Sequence, residues 1–211
     1  MVLNLLRMTS DEWDAAAAGF DDAPDHGLRD PAVRAAWRDL LGGVLPMAPV
    51  RVADLGCGTG TLAELLVDSG HVVDGVDFSP AMLKIARAKV PDGRFILGDA
   101  ADPPLGKAAY DVVLCRHLLW ALSDPAGSFA SWLGLLRPGG IVILIEGSWS
   151  TGVGLTAGQT KRLVAHAGRQ VEIRPLTDNV YWGKPISDER YLLISRPDAQ
   201  PIDPQAPRCP P

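Results

Sequence analysis

The chain has 211 residues, 47% of them hydrophobic and 21% charged, with a formal net charge of −5. This is ordinary globular composition with length for one sizeable core, and the acidic balance without a Lys/Arg cluster leaves no electrostatic footprint for a nucleic-acid partner. Cys57, Cys115 and Cys209 have neither disulfide nor zinc spacing, so no metal is expected and a reduced, cytoplasmic setting fits.

In chain order, residues 1–10 hold only short apolar stretches broken by Asn4 and Arg7, too little for a signal-peptide core or a membrane span. Residues 1–46 read as a helical N-terminal region. Trp13 and Phe20 stand seven apart on an amphipathic stretch and read as anchors of a helix to the body, and Asp30-Pro31 supplies an N-cap and a first-turn proline for the next helix. From Val50 onward short apolar runs alternate with helical stretches, which predicts a parallel sheet flanked by helices.

The predicted strands are 50–55, 72–77, 94–98, 110–115 and 140–146, whose near-continuous Val/Ile/Leu content suits strands covered on both faces. A helix over 61–69 stops at Gly70, a natural left-handed cap, and Ser79-Pro80 and Asp124-Pro125 open two more. Residues 156–168 read as a helix, and 170–176 and 190–196 as a last pair of strands, making seven. The loop 177–189, with Tyr181 and Trp182, is expected to form a substrate wall, and the Pro-rich tail 197–211 to be disordered.

The most informative stretch is Val52-Ala-Asp-Leu-Gly-Cys-Gly-Thr-Gly60, a strand that runs through three alternate glycines into a helix. Bare glycines let backbone amides and carbonyls approach a ligand at the strand's carboxyl end. The next strand ends in Asp77, placed for a bidentate hydrogen bond to two ribose hydroxyls. Either signal alone is weak: such a glycine turn is common, and a strand-terminal Asp is usually a turn residue or helix cap. Their order and spacing carry more. A dinucleotide site would show G-x-G-x-x-G, whereas Thr61 stands where its last glycine belongs.

The pattern resembles the class I, Rossmann-like S-adenosylmethionine-dependent methyltransferases, strongly over residues 50–146 and more loosely to Arg196. The resemblance implies a three-layer αβα sandwich with a seven-stranded, mostly parallel sheet and a terminal antiparallel strand pair. It implies an enzyme domain at 47–196, with residues 1–46 folding over the cofactor as a lid. Asp54 and Gly56 would lie near the methionine part of S-adenosylmethionine, with Gly58 and Gly60 shaping the loop and Asp77 on the ribose. Phe78 and Met82 would pack on the adenine, and in Phe95-Ile-Leu-Gly-Asp-Ala100 the Asp99 carboxylate and Ala100 amide would meet its edge. Cys115, ending the fourth strand, joins the cofactor-binding positions, and Leu136-Arg-Pro-Gly-Gly140 matches as a structural turn.

Methyl transfer needs alignment, desolvation and, for many acceptors, removal of a proton. Arg116 and His117 follow the fourth strand on the cofactor side. His117 is the expected base, and Arg116 the group that stabilises a phenolate or holds a carboxylate. The pair resembles that of phenol C-methyltransferases of aminocoumarin biosynthesis. The plainer reading, a structural ion pair beside a satisfied histidine, stands equally open. His26 is the second catalytic candidate, against a solvated loop histidine. Glu146 and Trp149 follow the fifth strand, where they could meet substrate, with Glu146 equally open to reading as a solvated strand-end carboxylate, and both are left outside the catalytic set. The expected activity is methylation of a small-molecule acceptor, phenolic or aromatic, yielding S-adenosylhomocysteine, with oxygen, nitrogen and carbon acceptors and a monomer or homodimer all open. A non-catalytic S-adenosylmethionine-binding protein and an NAD-dependent oxidoreductase are the competing classes.

Overall fold

The computed structural model describes residues 9–198; the stretch 1–8 and the expected tail beyond residue 198 lie outside the described residues. Seven strands form one sheet: β1 (Arg51–Leu55), β2 (Val72–Asp77), β3 (Arg94–Leu97), β4 (Tyr110–Arg116), β5 (Leu136–Ser148), β6 (Arg169–Pro175) and β7 (Glu189–Pro197). Their order is β3-β2-β1-β4-β5-β7-β6. The first five run parallel, while β7 inserts antiparallel between β5 and β6. The order reverses between β1 and β4, the switch point at which strand ends splay apart and leave a crevice.

The helices are α1 (Ser10–Ala16), α2 (Pro24–Gly27), α3 (Pro31–Gly42), α4 (Thr61–Asp68), α5 (Pro80–Lys89), α6 (Pro125–Leu133) and α7 (Ala157–His166). Alternate strand residues feed two cores. Val52, Val112, Leu114, Ile143 and Ile194 pack with side chains of α3, α4 and α5, and Leu55, Val113, Leu144 and Leu193 pack with Phe129, Trp132 and Val164 of α6 and α7. The predicted helix starts hold, because Asp30, Ser79 and Asp124 each accept backbone amides ahead of a first-turn proline.

Three expectations change. Residues 136–140 are not a separate turn but the start of β5, paired to β4 through a register shift between Tyr110 and Val112. The single helix expected through Trp13 and Phe20 breaks at Ala17 into a 3-10 turn, Ala17–Asp22. The loop 177–189 does not wall the site: Trp182 is fully buried, its Nε1 donating to the Leu176 carbonyl and its ring set edge-on to Trp37 of α3. An indole of this size finds more apolar surface in the core than at a water-filled rim.

The N-terminal segment is fastened at three aspartates. Asp14 accepts from Ser79 Oγ and the Ala81 amide at the start of α5, Asp21 from Lys89 at 2.6 Å and from Thr59, and Asp25 pairs with Arg190 at 3.3 Å. Among the described residues, no helix is long and apolar enough to cross a membrane.

Far from the crevice, Asp74 is buried in β2 and accepts from Arg94, Arg51 and the Tyr110 hydroxyl, the last at 2.6 Å. Burial alone would raise its pKa, but these hydrogen bonds outweigh it and hold the carboxyl below the ordinary 3.8. The folded value lies below the unfolded one, so this stabilisation is complete above pH 3.8 and is lost as pH falls through the folded value. Asp74→Ala strips three donors of their acceptor and is expected to cost about 3 kcal/mol, read as a lower denaturation midpoint at pH 7. The gap between wild type and variant should narrow in acid.

Candidate functional site

The carboxyl ends of β1, β2 and β4 open on a cavity of about 630 Å³. At one end the chain leaves β1 through the glycine loop. Gly56 has φ +70° and a Cβ there would lie 2.6 Å from Leu118 Cδ2, so only glycine fits between β1 and the segment after β4. The Gly58 amide donates to Asp77 Oδ2 at 2.8 Å and the Ser79 amide to its Oδ1 at 2.9 Å, leaving the remaining lone pairs of Asp77 for the cavity it lines. Burial raises the Asp77 pKa, and those amides oppose the rise. Asp54 is buried beside it, with Oδ2 unpartnered among the described residues. Burial pushes Asp54 up to about 7, with Arg116 opposing and Asp77 adding to the shift.

Phe78, Met82, Asp99 and Ala100 line the neighbouring wall. Ser79 Oγ accepts the Met82 amide, setting the first turn of α5, and Asp99 Oδ1 accepts the Ala101 amide at 2.8 Å. The Ala100 carbonyl is held by Trp132 Nε1.

Two expected cofactor positions do not reach the cavity. Gly60 faces α5, where an added Cβ would lie 3.0 Å from Ala86 Cβ; its role is close packing of loop on helix. Cys115 is fully buried among Leu55, Leu144 and their neighbours on the α6/α7 side, because strand alternation after Leu114 turns it away.

At the far end stand Arg116, His117 and His26, all lining the cavity. Arg116 donates to the Asp25 carbonyl at 2.9 Å and stacks over Trp37 at 5.2 Å; among the described residues it has no carboxylate within salt-bridge reach. The ion-pair reading of Arg116 therefore does not describe this geometry. His117 adopts φ +56°, its amide donating to the Ile145 carbonyl and its own carbonyl accepting from Trp120 Nε1. Its ring stacks on Trp182, meets Trp149 edge-on at 5.2 Å, and leaves Nε2 shielded from solvent and unpartnered among the described residues. A satisfied histidine would have a partner on that nitrogen. Burial, then Arg116 and Arg190, pull its pKa well below the ordinary 6.5. His26 stacks on Phe20 at 4.3 Å and is also lowered, by burial and then Arg116.

Several cavity residues were not anticipated: Asp25, Cys57, Thr59, Leu62 and the run Leu118–Ser123 without Leu119. The rule that ligands sit at strand carboxyl ends would have reached that last run, since it follows Arg116 and His117 directly. Trp13 and Phe20 line the cavity as well as packing on each other, and Trp149, Thr151 and Val153 line it from a tight turn in which the Trp149 amide donates to Val153. Glu146 is wholly buried and lies outside the lining, so neither a solvated carboxylate nor a substrate contact describes it.

His117 should remain a neutral imidazole at pH 6.5, where an ordinary histidine is half protonated. Ring nitrogen NMR shifts of imidazolium character at that pH would contradict the burial argument.

Comparison with known proteins places this geometry. Residues 53–144 match the family model described as a methyltransferase domain. Over 144 residues the chain is 34% identical to a demethylmenaquinone methyltransferase of Renibacterium salmoninarum, covering 65% of this chain and 61% of that protein. Over 119 residues it is 34% identical to a ubiquinone biosynthesis O-methyltransferase of Thiobacillus denitrificans, covering 52% and 48%. The chain thus spans only about half to three fifths of the length of these curated relatives. In fold it is similar to the crystal structure of an S-adenosylmethionine-dependent methyltransferase from Mesorhizobium loti, with a TM-score of 0.62, 20% identity, and coverage of 75% of this chain and 96% of that one. With the glycine loop, the strand-terminal Asp77 and the sheet order in agreement, residues 53–144 of this chain are a methyltransferase domain, set in the fold of the class I, S-adenosylmethionine-dependent methyltransferases.

Proposed function

We propose that the chain binds S-adenosylmethionine at the glycine loop and methylates a small, planar, phenolic or aromatic acceptor held at the Arg116 end of the same cavity. The observation that carries this is the continuity of one cavity from Asp77 and Asp99 to His117, Trp120 and Trp149, within the size range of small-molecule sites. The residues present fit the cofactor. Asp77 keeps lone pairs for the ribose hydroxyls, and the unpartnered Asp54 Oδ2 offers an acceptor for the ammonium of the methionine part. Phe78 and Met82 supply an apolar face for the adenine, and Asp99 and the Ala100 amide its polar edge. When bound, the cofactor supplies a methyl carbon made electrophilic by its sulfonium sulfur.

The remaining work falls to the chain. His117, a neutral imidazole whose Nε2 has no partner among the described residues, takes the acceptor proton. Arg116, without a carboxylate partner, stabilises the oxyanion that develops. The indoles of Trp120 and Trp149, 5.6 Å apart, offer stacking surface for a planar acceptor. The N-terminal segment acts as the lid, with Trp13, Phe20 and His26 covering the cavity and excluding water. His26, on that lid, is the second proton acceptor in reach.

Calorimetric titration with S-adenosylmethionine, S-adenosylhomocysteine and NAD tests the cofactor half. Binding of the two adenosyl ligands and not NAD is expected, and binding of NAD alone would reject it. Asp77→Ala should weaken cofactor binding roughly ten- to a hundredfold, or ~1.5–3 kcal/mol, because it removes the ribose contact and frees the Gly58 amide. A screen of phenols tests the acceptor half: His117→Ala should lower kcat on the order of a hundredfold or more with cofactor affinity retained. Equal loss in His26→Ala with full activity in His117→Ala would move the base to the lid.

A further inference from the structure

Glu146 is fully buried in β5, outside the cavity, yet its Oε1 accepts two backbone amides of the segment that leaves β4, Leu118 at 3.1 Å and Leu119 at 2.8 Å. These amides belong to the residues just after His117, which is held in the left-handed region at φ +56°. Left-handed backbone is costly for a residue with a side chain and persists only where the surroundings over-determine it. Here four hydrogen bonds do so: the His117 amide to Ile145, Trp120 Nε1 to the His117 carbonyl, and the two amides to Glu146. Two of them come from backbone or from the segment's own indole; the other two converge on Glu146, the one side chain among the described residues that reaches in from another strand to accept them.

The geometry points to Glu146 as the positioning residue of the acceptor wall: by gathering the Leu118 and Leu119 amides on one oxygen it aims the His117 ring at the cavity and sets Leu118 against Gly56. Leu118 Cδ2 occupies the space a Gly56 side chain would take, so the same anchor ties the acceptor wall to the glycine loop. Burial raises Glu146 to about 8, with the two amides opposing the rise, so near neutrality the carboxyl is largely protonated while Oε1 accepts both donors. Glutamine copies that arrangement, with an oxygen acceptor and an N–H side, whereas aspartate withdraws the acceptor by one methylene.

The role in turnover rests on the reading of this cavity as a methyl-transfer site, whereas the positioning itself does not. The experiment therefore compares full-length wild type with Glu146→Gln and Glu146→Asp by amide hydrogen exchange, ring nitrogen NMR of His117, and kcat and KM on a phenol that the wild type turns over. In E146D the Leu118 and Leu119 amides should exchange about tenfold or more faster while β4 and β5 amides stay protected, and the His117 ring shifts should move. Its kcat should fall on the order of ten- to a hundredfold, with the KM for S-adenosylmethionine little changed. E146Q should restore all three readouts to near wild type. Unchanged exchange and ring shifts in E146D, or an E146Q as impaired as E146D, would overturn the assignment. Wild-type protein that binds no adenosyl ligand would reject the proposed function, and the exchange and ring-shift comparison would still decide on Glu146.

Discussion

The hydrogen bond from the Gly58 amide to Asp77 Oδ2 joins the loop after β1 to the end of β2, and the site is assembled around that join. Parallel pairing of β1 with β2 brings the two strand ends level, with Leu55 opposite Val76. From there the Gly56 and Cys57 amides continue onto the Val76 carbonyl, so the glycine loop is an extension of the sheet and not a free turn. Asp77 thus serves two purposes with one carboxylate: it fixes the loop and faces the cavity. Because the loop is fixed, Thr59 and Thr61 can meet Asp21 and Lys89, and the N-terminal segment gains its middle attachment.

Aspartates of the N-terminal segment find partners on the body, while burial pushes three groups of the cavity lining toward neutrality: Asp54 up to about 7, His117 and His26 down. Arg116 is the exception, a guanidinium on Trp37 with a carbonyl as its recorded partner. Under the proposed function, a guanidinium in the cavity wall without a carboxylate partner among the described residues suits an acceptor that is, or becomes, anionic. Arg190 is its structural counterpart, set over Trp182 at 4.4 Å and satisfied by Asp25 and Asp188.

The family match covers 53–144, the stretch that carries most of β1 to β5 and the glycine-loop end of the cavity. The aromatic wall at Trp149 and the N-terminal cover at Trp13, Phe20 and His26 lie outside that span. A match confined to the sheet core shares its fold with many chemistries, so the acceptor has to be argued from the side chains of the segments outside it.

The glycine loop, Asp77, the helix caps at Asp30, Ser79 and Asp124, and the seven strands were legible because each is a local matter, set by the conformational freedom of glycine, a proline after an acceptor side chain, or a continuous apolar run. Local rules could not separate Gly58 from Gly60, or see Cys115 turn away from the cavity, since both depend on which neighbour lies across the strand. They could not foresee Trp182 leaving its loop for the core or Glu146 reaching the amides after His117, because these partners are separated in sequence and meet only once the sheet order is formed. The sequence by itself determined the fold class and the cofactor end, where spacing along one strand-loop-helix unit is the geometry. Only the tertiary structure decided the Arg116 end of the cavity, where the surface is built from the end of β4, the segments that follow β4 and β5, and the N-terminal segment, brought together by long-range packing.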